Sequence, residues 1–462
     1  MTDDPFFIQV PYQTELAETI ATADVPLRLV LSAPPGYGKT TAIAATLKAI
    51  SDSHGQIRFL IVTPAALQAS WNGILGRFGL DSRIVDAPAY RVLQASAPAL
   101  RSPWDQLSGV VVSIDFLKRE ERLAEVLQVP WDVVVLDEAH IYTATSQRGR
   151  IAMALWTNVG IAKAVAACAV VNPVRWLLDA PGATLVRWDP KTLRGRAGVP
   201  PLMEREIQTV FFEPSAEEKA FGQFLIAAVE RIQANSTAAR FFGELLMRRA
   251  GSSLYAIEQS LRRYASSSVI GAKMDFDEPD EWYAAESESE RPVTDLLSSG
   301  VLEEALRLLE DVPHDSKYRA CADLVKRLEA NGRSVVIFTD FADTADYLGE
   351  QFCESGWPTW VVTGKLRMEE RYHLIDQARA QRGVLILTSA VTEGISLKFT
   401  NQAIHYDLPL SASLLLQRFG RLERIGSEFQ RAFHYFLSDG ITIPERLLAK
   451  LQMGASEIED GE

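Results

Sequence analysis

Residues 33–40 read A-P-P-G-Y-G-K-T and follow directly on the apolar run L-R-L-V-L-S, residues 27–32; further along, residues 133–140 read V-V-V-L-D-E-A-H. The first stretch has the order strand, glycine-rich turn, helix opening on Lys-Thr, which arranges backbone N–H groups and a helix N-terminus around phosphate oxygens. In this reading Pro35, Gly36, Tyr37 and Gly38 form the cradle and Lys39 reaches the β- and γ-phosphates. The Thr40 hydroxyl holds Mg²⁺, with Thr41 beside it in the first helical turn. The second stretch is a buried strand ending in an acidic pair. Asp137 suits the metal, and Glu138 suits the orientation or deprotonation of an attacking water. A tight turn and an unrelated surface acidic pair would not explain Lys-Thr directly after Gly-x-Gly. The two segments together point to a nucleoside triphosphatase.

The rest of the composition is compatible with this. The chain has 462 residues, of which 47% are hydrophobic and 23% charged, the balance of a globular protein of two or three domains. No apolar run approaches the roughly 20 residues of a membrane span, and the N-terminus M-T-D-D-P-F-F lacks the order of a secretory signal. A cytoplasmic protein without a membrane role is the expectation. Cys168, Cys321 and Cys353 lie far apart without metal-ligand spacing, so buried, reduced thiols are expected. A net charge of −13 argues against coating nucleic acid by bulk electrostatics, though not against a local basic groove.

Two sets of β-rich runs divide the chain. The first contains residues 27–32, 58–63, 109–114 and 132–137, with A-A-C-A-V-V at 166–171 as a fifth strand. The second contains residues 334–339, 359–363, 383–388 and 402–407. Near-continuous Val/Ile/Leu strands separated by helical stretches mean parallel sheets covered on both faces. Between the sets, residues 214–265 are helical in pattern and carry the pairs Arg248-Arg249 and Arg262-Arg263. Residues 275–290 follow, with eight acidic residues among 16 and no basic one, which predicts an exposed, mobile loop.

A third motif, Q-R-F-G-R-L-E-R-I-G at residues 417–426, repeats arginine at 418, 421 and 424. This spacing predicts one basic side of a helix or turn. After a second α/β lobe the better reading is a pair of arginine fingers, Arg421 and Arg424, aimed at a γ-phosphate, with Gln417 beside them.

With these motifs in this order the sequence resembles the superfamily-two helicases, and among them the SWI/SNF-type DNA translocases and their bacterial relatives, over roughly residues 11–437. Residues 33–40 and the D-E-A-H of 137–140 match motifs I and II, and residues 417–426 match motif VI. P-Y-Q at 11–13 looks like the adenine-contacting glutamine motif, through Gln13. I-V-T-P-A-A-L-Q-A-S-W at 61–71 and V-S-I-D-F-L-K-R at 112–119 look like segments touching the nucleic-acid backbone. The resemblance therefore implies contacts from Thr63, Pro64, Ser113, Lys118 and Arg119. V-V-I-F-T-D-F at 335–341 and L-T-S-A-V-T-E-G-I-S-L at 387–397 fit motifs IV and V. They imply nucleic-acid roles for Thr339 and Thr388 and nucleotide roles for Glu393 and Gly394. Residues 246–263 are similar to the bacterial SWI/SNF-like pattern.

The implied fold is two RecA-like parallel-sheet lobes in tandem, with a helical, partly acidic insertion between them. The N-terminal lobe would span residues 1–205 and the insertion 206–314, with its acidic loop at about 266–292. The C-terminal lobe would span 315–445, followed by a tail at 446–462. The implied activity is an ATPase, with ATP and Mg²⁺ as cofactors, acting on double-stranded DNA. In this picture ATP binding and hydrolysis close and reopen the two lobes. Alternatives are a clamp or switch subunit of a multisubunit system with a protein partner, or a triphosphatase unrelated to nucleic acid. Motif III departs from the family pattern: V-V-N-P at 170–173 stands where hydroxyls usually link hydrolysis to the nucleic-acid site, so weak strand separation is expected.

Overall fold

A computed structural model describes residues 10–97, 102–169, 172–200, 202–233, 237–266, 297–329, 332, 334–391, 395, 397–409 and 412–439. The acidic stretch, the C-terminal tail, Val170, Val171, Glu393 and Gly394 lie outside the described residues. The chain divides into two compact units. One comprises Met1–Met203, Phe419–Gln430 and Gly454–Glu462, the other Glu204–Arg418 and Arg431–Met453. Both are built on parallel sheets with helices, which is the tandem RecA-like architecture.

The first unit holds β1 (Leu27–Ser32), β2 (Phe59–Thr63), β3 (Arg83–Ile84), β4 (Gly109–Ser113), β5 (Val133–Leu136), β6 (Lys163–Cys168) and β7 (Ala183–Arg187), in the spatial order β3-β4-β2-β5-β6-β1-β7. Every pairing in it is parallel. Val134 and Leu136 enter the core on one face of the sheet, and Val133 and Val135 the core on the other. Both faces are covered, so the interior strands are apolar at every position rather than at alternate ones.

The fifth strand begins three residues earlier than its apolar run suggested, at Lys163, which pairs with Leu27 and Val133. A buried lysine can sit there because its ammonium donates to the carbonyls of Ile20 (2.5 Å) and Ala21 (2.9 Å), near the end of the helix Pro11–Thr22. Those carbonyls lack helical partners, and a cation near a helix C-terminus is favourable.

The second unit holds β8 (Glu204–Phe211), β9 (Val335–Thr339), β10 (Thr359–Val362), β11 (Val384–Thr388), β12 (Gln402–His405) and β13 (Arg431–Ser438), in the order β10-β11-β9-β12-β13-β8. The segment from residue 206, expected to be helical, thus opens inside a strand. β8 pairs with β13 over its whole length. Its half-exposed alternation is that of an edge strand and gave too weak an apolar signal to be read. The helices Ala216–Gln233, Thr237–Ser252, Leu254–Ser266 and Ser299–Glu310 then pack around Phe221, Leu225, Phe242, Leu246, Ile257 and Leu302. Cys168 and Cys321 are buried as expected, but Cys353, on the outer side of the helix Ala342–Glu354, is exposed. Among the described residues no helix is long and apolar enough to cross a membrane.

Candidate nucleotide site

In the first unit β1 runs into residues 33–38, and the helix Lys39–His54 follows. The Ala33 N–H donates to the Cys168 carbonyl at the end of β6 (3.1 Å), which ties the loop to the sheet. Gly36 and Gly38 take φ of 89° and 76°, the left-handed region where a side chain is strained. Space forbids a side chain there as well. A Cβ on Gly36 would come within 2.5 Å of the Glu423 carbonyl oxygen, and one on Gly38 within 2.2 Å of the Gln13 amide nitrogen.

The N–H groups of the first helical turn, where Thr40 and Thr41 are partly exposed, have no intrahelical acceptors and suit phosphate oxygens. Lys39 is buried, and its ammonium donates to the carbonyls of Ala33 (2.6 Å) and Pro34 (3.4 Å). Burial pushes its pKa down, against the opposing fields of Glu138, Cys168 and Asp137.

Gln13 is buried against this loop. Its amide nitrogen donates to the carbonyls of Tyr37 and Gly38 (3.4 Å each), and its amide oxygen accepts from the Val10 N–H (3.4 Å). The Tyr12 hydroxyl donates to the Tyr37 carbonyl at 3.0 Å. The glutamine expected to read adenine therefore braces the phosphate loop in this structure.

Asp137 follows β5 and is 4% exposed. Its N–H donates to the Val62 carbonyl (2.8 Å), and the Asp137 carbonyl accepts from the Tyr142 hydroxyl (2.7 Å). One carboxylate oxygen, Oδ2, accepts from the Thr63 hydroxyl (3.0 Å) and from the Trp71 indole N–H (2.6 Å). Burial and the charge of Glu138 push the Asp137 pKa up to about 6, opposed by the bonds from Trp71 and Thr63 and by the charge of Lys39. Glu138 is the one non-glycine residue among those described with positive φ, 48°. Its buried Oε2 has no hydrogen-bond partner among the described residues and lies 3.3 Å from His140 Nδ1. Burial and Lys39 hold the His140 pKa down at about 4, so the ring is neutral at pH 7.

Two adjacent carboxylates, one with an orphaned buried oxygen and the other reluctant to ionise, form a site short of positive charge. The donor set fits Mg²⁺, which binds through one or two carboxylates, a hydroxyl and substrate phosphates rather than in an all-protein cage. Among the described residues there is no group of three or more His, Cys, Asp or Glu suited to a metal.

Residues 419–430 complete this unit. Gly420 lies so close to the phosphate loop that a Cβ on it would meet the Pro35 Cβ at 2.3 Å. Arg421 is buried and its charge disfavours that of Lys39. Burial and the neighbouring Arg421 hold the Arg424 pKa down at about 9. Lys39, Arg421 and Arg424 thus bring cationic groups that feel one another's charge to the phosphate loop, beside the carboxylate pair, which suits a polyanion.

Arg418 does not share this side. It is fully buried in the second unit, donating to the Asp407 carbonyl (2.7 Å) and the Ser389 hydroxyl (2.7 Å) and pairing with Asp340. At 3.6 residues per turn, a three-residue step falls about 60° short of a full turn. Moreover, the helix Ala412–Leu422 ends before Arg424. Gln417, also in the second unit, is 3% exposed, and its amide oxygen has no hydrogen-bond partner among the described residues.

The residues expected at nucleic acid are placed less uniformly. Arg119 is exposed and Lys118 half-buried beside Asp115 (2.7 Å). The Ser113 hydroxyl accepts from the Phe116 N–H at 3.1 Å, and Pro64 is buried. Thr63, Thr339 and Thr388 are fully buried, so their side chains do not face solvent. Thr63 turns to Asp137, and Thr339 donates to Asp407. Arg248, Arg249, Arg262 and Arg263 of the helical segment all have carboxylate partners. Arg248 pairs with Asp340 (3.1 Å), Arg249 with Asp343 (2.6 Å), Arg262 with Glu258 (2.7 Å) and Arg263 with Asp343. Arg262 and Glu258 are one helical turn apart in sequence, but the proximity of the other three to acids could not be read from spacing, because Asp340 and Asp343 are far away in sequence. Trp71 and Tyr142 were missed for a similar reason: in sequence they are simply apolar residues of a core. Asn172 opens a short 3₁₀ segment, Asn172–Asp179.

Comparison with known proteins agrees with this geometry. Residues 316–426 match the family described as the helicase conserved C-terminal domain. The chain is 25% identical to an uncharacterized ATP-dependent helicase, YqhH, of Bacillus subtilis, over 97% of this chain and 78% of that protein. It is 24% identical to the RNA polymerase-associated protein RapA of Vibrio parahaemolyticus over 90% of this chain. That alignment spans about half of RapA, 46% of its length. Among solved structures, the helicase domain of Hef from Pyrococcus furiosus superposes with a TM-score of 0.56 at 14% identity, covering 96% of this chain and 98% of that one. This last likeness speaks for the fold alone.

Proposed function

Because this chain is a superfamily-two helicase or translocase of the bacterial branch, and so an ATP-hydrolysing enzyme, we propose that it is a cytoplasmic translocase on double-stranded DNA. The observation carrying this reading is the gathering of Lys39, Asp137, Glu138 and the field of Arg421 in one buried place, at the C-terminal ends of β1 and β5. Such strand ends are where parallel sheets bind ligands.

Lys39 neutralises the β- and γ-phosphates, which requires its ammonium to leave the Ala33 carbonyl. Glu138 accepts the proton of the attacking water as the new oxygen–phosphorus bond forms and the bond to the β–γ bridging oxygen breaks, releasing ADP and phosphate. Arg421 and Arg424 offset charge on the transferring group. Thr40 and Asp137 hold Mg²⁺, which when bound neutralises phosphate charge and orients the chain of oxygens. Gln13, with Pro35, Gly36, Tyr37, Gly38 and Thr41, shapes the nucleotide cradle, and Glu393, Gly394 and Gln417 are assigned to it from the motifs alone. Nucleic acid is gripped at its backbone by Ser113, Lys118 and Arg119, with weak sequence selectivity and steep salt dependence.

A second reading, a clamp or switch that recruits a protein partner without unwinding, draws support from Val170, Val171 and Asn172 in motif III. A relative named for its association with RNA polymerase also supports it. Steady-state ATPase rates with no nucleic acid, single-stranded DNA, duplex DNA and RNA test the proposal. Duplex DNA should stimulate and the others should not. Stimulation by RNA alone would overturn the substrate assignment, and the isolated chain should unwind a tailed duplex poorly.

A further inference from the structure

Trp71 and Thr63 belong to one stretch of chain, residues 61–71, yet both donate to the same oxygen of Asp137. All three side chains are buried, at 1%, 0% and 4% exposure. Their meeting follows from strand parity. Residues 133, 135 and 137 alternate onto the sheet face whose core contains Val133, Val135 and Trp71, while Thr63 ends the neighbouring strand β2. Trp71 lies in the helix Gln68–Arg77, which starts one 3₁₀ turn after β2. The part of the chain that resembles a nucleic-acid backbone contact is thus joined by two direct hydrogen bonds to the carboxylate assigned to the metal. Bonds to an ionised acceptor are among the stronger ones, and one buried beside a second carboxylate depends on them for orientation.

We infer that Trp71 and Thr63 are positioning residues that relay nucleic-acid occupancy of the segment 63–77 to Asp137, the route this chain uses where its motif III lacks hydroxyls. The inference rests on the functional reading above. Movement of the helix Gln68–Arg77 on binding a strand carries the indole N–H with it and turns the Asp137 carboxylate, so turnover responds to nucleic acid without any residue reaching from one ligand to the other.

The test uses the full chain with Trp71→Phe, which keeps an aromatic ring and removes the N–H, and Thr63→Val, which is nearly isosteric and removes the hydroxyl. Thermal unfolding identifies any variant that fails to fold, and Thr63→Val keeps the test open if Trp71→Phe does. The expected result is a ratio of duplex-stimulated to basal ATPase at least about fivefold lower in each variant, the lower end of typical coupling between sites, with duplex affinity unchanged. In the absence of turnover, tryptophan emission of the wild type should change on adding Mg·ADP and again on adding duplex, and Trp71→Phe should lose both changes. A folded Trp71→Phe or Thr63→Val protein with the wild-type stimulation ratio overturns the relay alone. A wild type unresponsive to every nucleic acid overturns the functional reading and the relay with it.

Discussion

Asp137 and Asp407 each stand just past the C-terminal end of an interior parallel strand, β5 in one unit and β12 in the other, and each is nearly inaccessible to solvent. Their surroundings are opposite. Asp137 has two neutral donors on one oxygen and Glu138 next to it, and its pKa is pushed up to about 6. Asp407 is penalised by burial too. However, it faces the Lys317 ammonium (3.3 Å) and accepts from Thr339, the Asp340 N–H (3.0 Å) and the Ser252 hydroxyl (2.8 Å), which together hold its pKa below the ordinary carboxylate range. One carboxylate is left short of positive charge and can take a cation with its substrate. The other is saturated and fastens the helices Thr237–Ser252 and Ser316–Glu329 to the second sheet. Unmet electrostatic demand marks the chemical site, and met demand marks the brace.

The largest expected effects come from breaking the first carboxylate site. Glu138→Gln should bind ATP and lose turnover by several orders of magnitude, because the amide cannot accept the water proton. Lys39→Ala should do the same with weakened ATP binding. A Glu138→Gln protein hydrolysing ATP near the wild-type rate, measured by phosphate release, would remove the acidic pair from the mechanism. Arg421→Ala and Arg424→Ala should each lower kcat by about 10³ or more with KM little changed, as for other arginine fingers.

The contrast sharpens when the same change is made in both units. Asp407→Asn should destabilise the second unit by about 3–5 kcal/mol, since the largely enclosed Lys317 ammonium would lose the carboxylate 3.3 Å away. Asp137→Asn should abolish hydrolysis while leaving the melting temperature unchanged or raised, because it removes a poorly compensated charge. Equal melting shifts in the two variants would defeat the comparison.

The pH dependence carries the same distinction. The folded pKa of Asp407 is depressed, so its contribution is complete above the unfolded carboxylate value and is lost as pH falls through the folded one. Acid unfolding of the wild type should therefore include a component that Asp407→Asn lacks, read as a shallower fall of melting temperature below about pH 4.

The smallest effect concerns the exposed pair Arg262–Glu258. Arg262→Ala should change stability by no more than about 0.5 kcal/mol. Arg248→Ala and Arg249→Ala, whose partners are buried or half-buried, should destabilise more strongly. None of the three should alter duplex affinity, as measured by fluorescence anisotropy.

Much of this protein is legible in residue order. Continuous apolar runs disclose strands covered on both faces, and Gly-x-Gly-Lys-Thr and Asp-Glu-Ala-His carry the signals behind the proposed phosphate and water chemistry, because those signals are local: backbone conformation, helix ends and charge within a few residues. The half-exposed strand β8 and the buried Lys163 were hidden, since the one has little apolar content and the other is a charge in a core. What the fold alone decided is which polar groups meet. Sheet register sets Trp71 and Thr63 on Asp137, pulls Arg418 away from Arg421 into the second unit, and gives the helical arginines their carboxylates. Apart from Arg262 and Glu258, one helical turn apart, the carboxylate partners lie 66 to 94 residues from their donors, and only the parity of neighbouring strands and the packing of helices on them bring such groups within hydrogen-bond reach.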